Sequence, residues 1–179
     1  FPVNIELELK GRDHPWVSRG GLKLEHALEY FCVDVKNLIC LDVGASTGGF
    51  CDVLLNKEAA KVYAVDVGHG QLAWKIRNDE KVVVIERFNA RYITKKEVPD
   101  PIDFICCDTS FIGLTTVLPA PIKLAKAGAK LIALIKPQFE VAKGQVGKKG
   151  VVTDPNLHNE VCNRISEWLS GLDNWQVIG

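Results

Sequence analysis

Five short apolar runs punctuate the chain, at Leu38–Val43, Lys61–Val67, Val82–Glu86, Asp103–Cys107 and Lys130–Ile135, and Val and Ile dominate them as a set. The runs are continuous rather than alternating, which predicts strands buried on both faces. Helical patterns separate them. Leu22–Phe31 is amphipathic, a second helix follows Gly48-Gly49, and a third starts near Gln71. A longer one is expected over Leu114–Lys126, with its first half irregular or kinked to accommodate Pro119 and Pro121. Asp154-Pro155 pairs a capping acid with proline at the first helical position and opens a helix ending near Gly171. Trp175–Ile178 then reads as the beginning of a sixth strand. Strands alternating with helices imply right-handed crossovers, hence an α/β, doubly wound fold with a mostly parallel central sheet and helices on both faces. Two segments stand outside this rhythm: a polar arm, Phe1–Gly21, and a long glycine-containing loop, Pro137–Thr153. Long loops at that edge of an α/β sheet usually carry function.

Composition narrows the field. A chain of 179 residues with 47% hydrophobic content fits one domain, taken as 1–179 with 1–21 as its arm. Lys and Arg number 22, as do Asp and Glu, so a polyanionic partner would have to be met by a local basic patch. The six cysteines show no CxxC spacing and sit mostly in apolar runs, which points to free thiols in a reducing cytoplasm. His14, His26, His69 and His158 fall in four separate segments, so no metal site is expected. No apolar stretch approaches the ~18 residues that cross a bilayer, and the start lacks a signal pattern, so a cytoplasmic protein without a membrane partner is expected. The chain opens on Phe1 and closes on Val177-Ile178-Gly179 like a strand cut short, which reads as a fragment.

The most informative motif is Asp42-Val43-Gly44-Ala45-Ser46-Thr47-Gly48-Gly49-Phe50, a strand running into a glycine turn and then a helix. Glycines permit a tight turn and close approach of backbone to ligand, and the helix start offers free amides to an anionic group. Asp66, with Val67 after it, closes the second strand about twenty residues on, where an acid can accept hydrogen bonds from ribose hydroxyls. The pattern D-x-G-x-x-x-G-G is not the dinucleotide G-x-G-x-x-G. It resembles the first motif of class I methyltransferases, which implies S-adenosyl-L-methionine as cofactor. On that resemblance Asp42, Gly44, Ser46, Thr47, Gly48, Gly49 and Phe50 form the cofactor turn, Asp66 and Val67 meet the ribose, and Asn89, after the third strand, lies near the adenine.

Asp108 and Lys136 end the fourth and fifth strands, where a doubly wound sheet gathers its chemistry, and Lys23 opens the first helix. A lysine beside a second cation and an apolar wall is disfavoured in its charged form and can take a proton. Methyl transfer from a sulfonium to a sugar hydroxyl needs that service, with the oxygen held in line; Lys136 would be the base and Asp108 would orient it. Each of these charges could equally be a strand-end group reaching solvent.

Four motifs occur in order: Ser18-Arg19-Gly20-Gly21-x-Lys23-Leu24, the glycine turn from Asp42 to Phe50, Asp108-Thr109-Ser110-Phe111, and Lys136-Pro137-Gln138-Phe139-Glu140. Together they resemble the haemolysin A family of ribosomal RNA 2′-O-methyltransferases, relatives of the FtsJ-type RNA ribose methyltransferases. The resemblance implies a Rossmann-like class I fold, ribosomal RNA or a ribosomal subunit as partner, cytidine as the nucleotide, and a Lys-Asp-Lys-Glu catalytic tetrad. Lys23, Asp108 and Lys136 match its first three members. The fourth, a glutamate in a late strand, has no counterpart, since the chain stops where that strand region is expected to begin, and Glu140 and Glu160 lie in the wrong elements to replace it. An S4-type RNA-binding domain is expected to precede Phe1, and final strands to follow Gly179.

Basic residues cluster locally. Lys10, Arg12, Arg19 and Lys23 lie in and beside the arm, and Lys136, Lys143, Lys148 and Lys149 lie along the loop. If both segments frame the pocket they make a positive rim for phosphates, with His14, Trp16 and Phe139 as stacking faces for unpaired bases. Other readings stay open: a non-catalytic RNA- or ribosome-binding module on this fold, a membrane-active haemolysin, and a methyltransferase for a small molecule or protein.

Overall fold

In the computed structural model, residues 14–179 can be described; Lys10 and Arg12 lie outside them. Five parallel strands form the sheet: β1 (Ile39–Val43), β2 (Lys61–Val65), β3 (Val82–Ile85), β4 (Ile102–Cys107) and β5 (Ala125–Ala133). Their spatial order is β3-β2-β1-β4-β5. The chain reverses direction across the sheet between β1 and β4, which leaves a crevice beyond their carboxyl ends.

The sheet is covered on both faces, so its apolar residues sort by parity. Cys40, Phe104 and Cys106 face one core with Leu24, Leu28, Phe50 and Leu54, from α1 (Gly20–Tyr30) and α2 (Gly49–Asn56), and with Ile76 of α3 (Trp74–Arg77). Leu41, Val43, Ile105 and Cys107 face the other core. There they meet Leu114 and Val117 of α4 (Leu114–Val117) and Val161 and Ile165 of α7 (Pro155–Ser170). α7 begins as its sequence predicts: Asp154 accepts a hydrogen bond from Asn156 N at 2.9 Å, with Pro155 in the first position.

Four expectations need correction. The helix expected over Leu114–Lys126 is two single turns, α4 and α5 (Pro119–Ile122), because proline lacks the amide a continuous ladder needs. β5 therefore starts at Ala125, five residues before its apolar run, and its exposed edge at Lys126–Gly128 hid it from a hydrophobicity reading. Trp175–Ile178 pairs with none of the five strands. Finally, the arm is not wholly a polar loop. Trp16 is only 4% exposed, packs into the first core and donates Nε1–H to Glu25 at 3.0 Å, so it offers no stacking face. The loop Pro137–Thr153 includes one helical turn, α6 (Pro137–Glu140), and a 3₁₀ turn at Lys143–Gln145.

Candidate active site

The glycine turn between β1 and α2 is built by positive φ angles: Gly44 at +88°, Ser46 at +48° and Gly48 at +91°. Gly44 and Ala45 donate their amides to Val65 O, which continues the β1–β2 ladder past the strand ends and aims the turn outward. Asp66 braces it. Its Oδ2 accepts from Ser46 N at 2.7 Å and its Oδ1 from Gly68 N at 2.6 Å, leaving lone pairs on both oxygens.

A cleft in two lobes opens around this turn. The smaller, about 300 Å³, is lined by Ser18, Gly20, Lys23, the turn residues Gly44–Thr47, Gly49, Phe50, Asp108, Ser110 and Lys136. The larger, about 640 Å³, runs over Asp66, Val67, Phe88, Asn89 and the Asp108–Ile112 segment. Gly44, Ser46, Asp108 and Ser110 line both, so the lobes are continuous at the end of β1 and β4.

Asp108 is the hub. Lys23 Nζ donates to its Oδ2 at 3.0 Å, and Lys136 Nζ forms an ion pair with its Oδ1 at 2.5 Å. Lys136 also donates to Ser110 Oγ at 3.1 Å and lies 6.0 Å from the Phe139 ring centre. Three charges separated widely in sequence thus converge where the two lobes join. Asp108 N donates to Val43 O, which fixes the hub against β1.

The expected residues do not all reach the cleft. Thr47, Gly49 and Phe50 line the smaller lobe, and Val67 and Asn89 the larger. Gly48 lines neither; its α-hydrogen side is closed by Leu72 and Ile76. Asp42 is fully buried beneath the turn, where it accepts from Cys51 Sγ at 3.1 Å, so it cannot touch a ligand and acts through the turn it underlies. Burial pushes its carboxyl up to about 7, against hydrogen bonds from Cys51 and Cys106 that lower it. Burial likewise raises the Cys51 and Cys106 thiols. Arg19, Lys143, Lys148 and Lys149 are exposed and line neither lobe.

Three residues have roles that the sequence reading did not assign. Ser110, quoted there with Phe111 only as part of the Asp108–Phe111 motif, touches Lys136. Phe111 is 91% exposed, holds φ +66°, and stands 5.1 Å from the Phe139 ring at the cleft edge. Asp52 is 2% exposed and clamps the arm: its Oδ2 accepts from Val17 N at 2.9 Å and its Oδ1 from Lys75 Nζ at 2.8 Å. An acid inside the apolar run Gly49–Asn56 was the available signal for it.

A parallel sheet with its cleft at a strand-order reversal, a positive-φ glycine turn and a braced acid just past the second strand define the Rossmann-like methyltransferase class. A provisionally titled S-adenosylmethionine-dependent methyltransferase from Listeria monocytogenes shares the fold, with TM-score 0.56 at 17% identity over 75% of this chain and 63% of that one. The chain belongs to the FtsJ-like methyltransferase family, whose model matches residues 16–178. It is 55% identical over 167 residues to the Mycobacterium tuberculosis protein named 16S/23S rRNA (cytidine-2'-O)-methyltransferase TlyA, covering 93% of this chain and 62% of that relative. A Streptococcus thermophilus structure provisionally named a hemolysin superposes with TM-score 0.84 at 44% identity, over 91% of this chain and 59% of that one. The chain thus spans about six-tenths of these relatives' lengths. Among the described residues no helix is long and apolar enough to cross a membrane, and no three His, Cys, Asp or Glu side chains gather as metal ligands.

Proposed function

We propose that this chain is the catalytic part of a cytoplasmic S-adenosylmethionine-dependent methyltransferase acting on a ribose 2′-hydroxyl of ribosomal RNA, with cytidine as the modified nucleotide. The observation that carries the reading is the Lys23–Asp108–Lys136 cluster at the junction of the two lobes. The substrate rests on the name borne by the Mycobacterium tuberculosis relative.

The residues fit the cofactor. Gly44 holds φ +88°, where a side chain is strained, and a Cβ there would crowd Thr109 Cγ2 at 3.0 Å and Asp108 O at 3.1 Å, so glycine keeps the turn's backbone bare beside the cleft. Asp66 keeps acceptor capacity for ribose hydroxyls, and Asn89, whose Oδ1 is taken by Arg91, keeps its amide group for a base edge. Val67 and Phe88 give the larger lobe apolar surface. Bound S-adenosylmethionine supplies an electrophilic methyl group.

The chain's own residues handle the acceptor. Lys136, after giving up one ammonium proton to solvent, receives the proton of the attacking hydroxyl as the oxygen–methyl bond forms, and Asp108, held between the two lysines, orients Lys136 and the hydroxyl. Lys23 fixes the second oxygen of Asp108 and adds positive charge where phosphates arrive. Phe111 and Phe139 supply aromatic faces for an unstacked base, and Arg19, Lys143, Lys148 and Lys149 add electrostatic attraction farther out.

Calorimetry with S-adenosylmethionine tests the cofactor site: saturable binding, lost in Asp66→Ala and Gly48→Val, is expected. Methylation of ribosomal RNA by the intact protein, abolished in Lys136→Ala with cofactor binding retained, tests the reaction. Cofactor binding without methyl transfer in the intact wild-type protein would instead favour a binding module.

A further inference from the structure

The two loops that carry Asp108 and Lys136 meet at a third residue. The side chain of Glu140, at the end of α6, is only 5% exposed. Its Oε1 accepts from Leu114 N, the first amide of α4, at 2.7 Å. That helix begins at Gly113, which has no side chain to cap it, so the acceptor comes from the other loop. The fit is close: a Cβ on Gly113 would stand 3.0 Å from Glu140 Oε2. From outside, Arg164 of α7 donates Nη2 to Glu140 O at 2.6 Å and lies 3.8 Å from Oε2.

The segment from Asp108 to Leu114 follows β4, and the segment from Lys136 to Glu140 follows β5. Near their starts they touch through the Lys136–Asp108 pair, and at their far ends through Glu140 and Leu114. Both contacts together close a ring of backbone and side chains. Releasing the far contact would loosen α6 against the Asp108 segment, leaving the two loops joined only near Lys136, through its pairing with Asp108, its hydrogen bond to Ser110 and the Phe111–Phe139 ring contact.

We propose that Glu140 is a positioning residue: with Arg164 it latches the Lys136 loop to the Asp108 loop and so fixes the Lys136–Asp108 pairing. The proposal rests on the methyltransferase reading for its activity consequence but not for its geometry. A latch that needs only an acceptor at Leu114 N tolerates glutamine and not alanine.

The test uses the intact protein with Glu140→Ala, Glu140→Gln and Arg164→Ala. Competitive acetylation read by mass spectrometry reports Lys136 directly, its side chain being only 19% exposed in the latched form. Labelling of Lys136 should rise several-fold in Glu140→Ala relative to an exposed lysine, less in Arg164→Ala, and hardly in Glu140→Gln. The kcat for ribosomal RNA methylation should fall roughly 10- to 100-fold in Glu140→Ala, the loss a shift of about 1 Å produces, while the S-adenosylmethionine Kd stays within about twofold. Glutamine should restore most of it. Unchanged Lys136 labelling in both alanine variants, or a kcat loss accompanied by an equal loss of cofactor affinity, would overturn the latch. Should Glu140→Ala fail to fold, Arg164→Ala, whose side chain is half exposed, decides by the same readouts. If labelling responds as expected while the wild type methylates no RNA, the latch stands and the functional reading falls.

Discussion

Gly49 and Ser18 are in such close contact that a Cβ on Gly49 would stand 2.4 Å from the Ser18 hydroxyl and 2.8 Å from Gly21 N. The cofactor turn and the segment that leads into α1 therefore share one surface, and Lys23 reaches Asp108 from the helix seated there. Gly49→Ala should push the two apart. The expected result is S-adenosylmethionine binding weakened by roughly tenfold or more, about 1.4 kcal/mol, by calorimetry. Adding Ser18→Gly should restore only part, because the Gly21 backbone contact remains. Wild-type affinity in the single variant would mean the two segments separate without cost.

Asp52 fastens the same segment from below, through Val17 N and Lys75 Nζ. Asp52→Ala leaves the partly buried Val17 amide without its acceptor, which costs roughly 1 kcal/mol and at most about 3. The melting temperature should fall accordingly. Lys75→Ala should cost much less, since that side chain is largely exposed and such pairs contribute little. Equal losses in both variants would place the stabilisation in the ion pair rather than the backbone hydrogen bond.

Phe111 holds a left-handed backbone, φ +66°, while its ring is almost wholly exposed. A non-glycine residue there carries about 1 kcal/mol of strain that burial does not offset. Phe111→Gly should therefore leave thermal stability equal or higher, yet raise the KM for RNA if the ring receives a base. A stability loss above about 1 kcal/mol would show instead that the ring packs for structure.

The sheet was legible because buried parallel strands cannot hide: β1 to β4 are continuous apolar runs, and their ends place Asp108 and the glycine turn. β5 was legible only from Lys130, because an edge strand can begin in residues such as Lys126 and Gly128 that face solvent. Lys23, Asp108 and Lys136 could be picked out as charges at element ends, but their convergence on one carboxylate is a property of the crossover packing. Asp42 was misread as a cofactor contact for a related reason. Its motif position is adjacent to the turn, yet strand parity turns its side chain into the first core beside Cys51 and Cys106. Glu140 and Asp52 act across loops distant in sequence, which no local pattern encodes.

Buried Asp42 should give the protein an unusual pH dependence. Its carboxyl is pushed from 3.8 to about 7 by burial, so between these values the folded chain holds a proton that the unfolded chain has released. Stability from this group is complete below about pH 4 and is lost as pH rises toward 7, because the unfolded state binds fewer protons throughout that window. The shift corresponds to roughly 4 kcal/mol between the two limits. Glu86, held below its ordinary value chiefly by Arg77, works in the opposite sense, so the total curve alone cannot isolate Asp42. Asp42→Asn removes the titration and keeps an oxygen to accept the Cys51 thiol. In urea unfolding from about pH 4 to about pH 8, the stability of Asp42→Asn relative to wild type should climb by about 2–4 kcal/mol. Parallel curves for the two proteins would mean that Asp42 ionises in the fold as readily as in the unfolded chain, and that the thiols beside it solvate its charge.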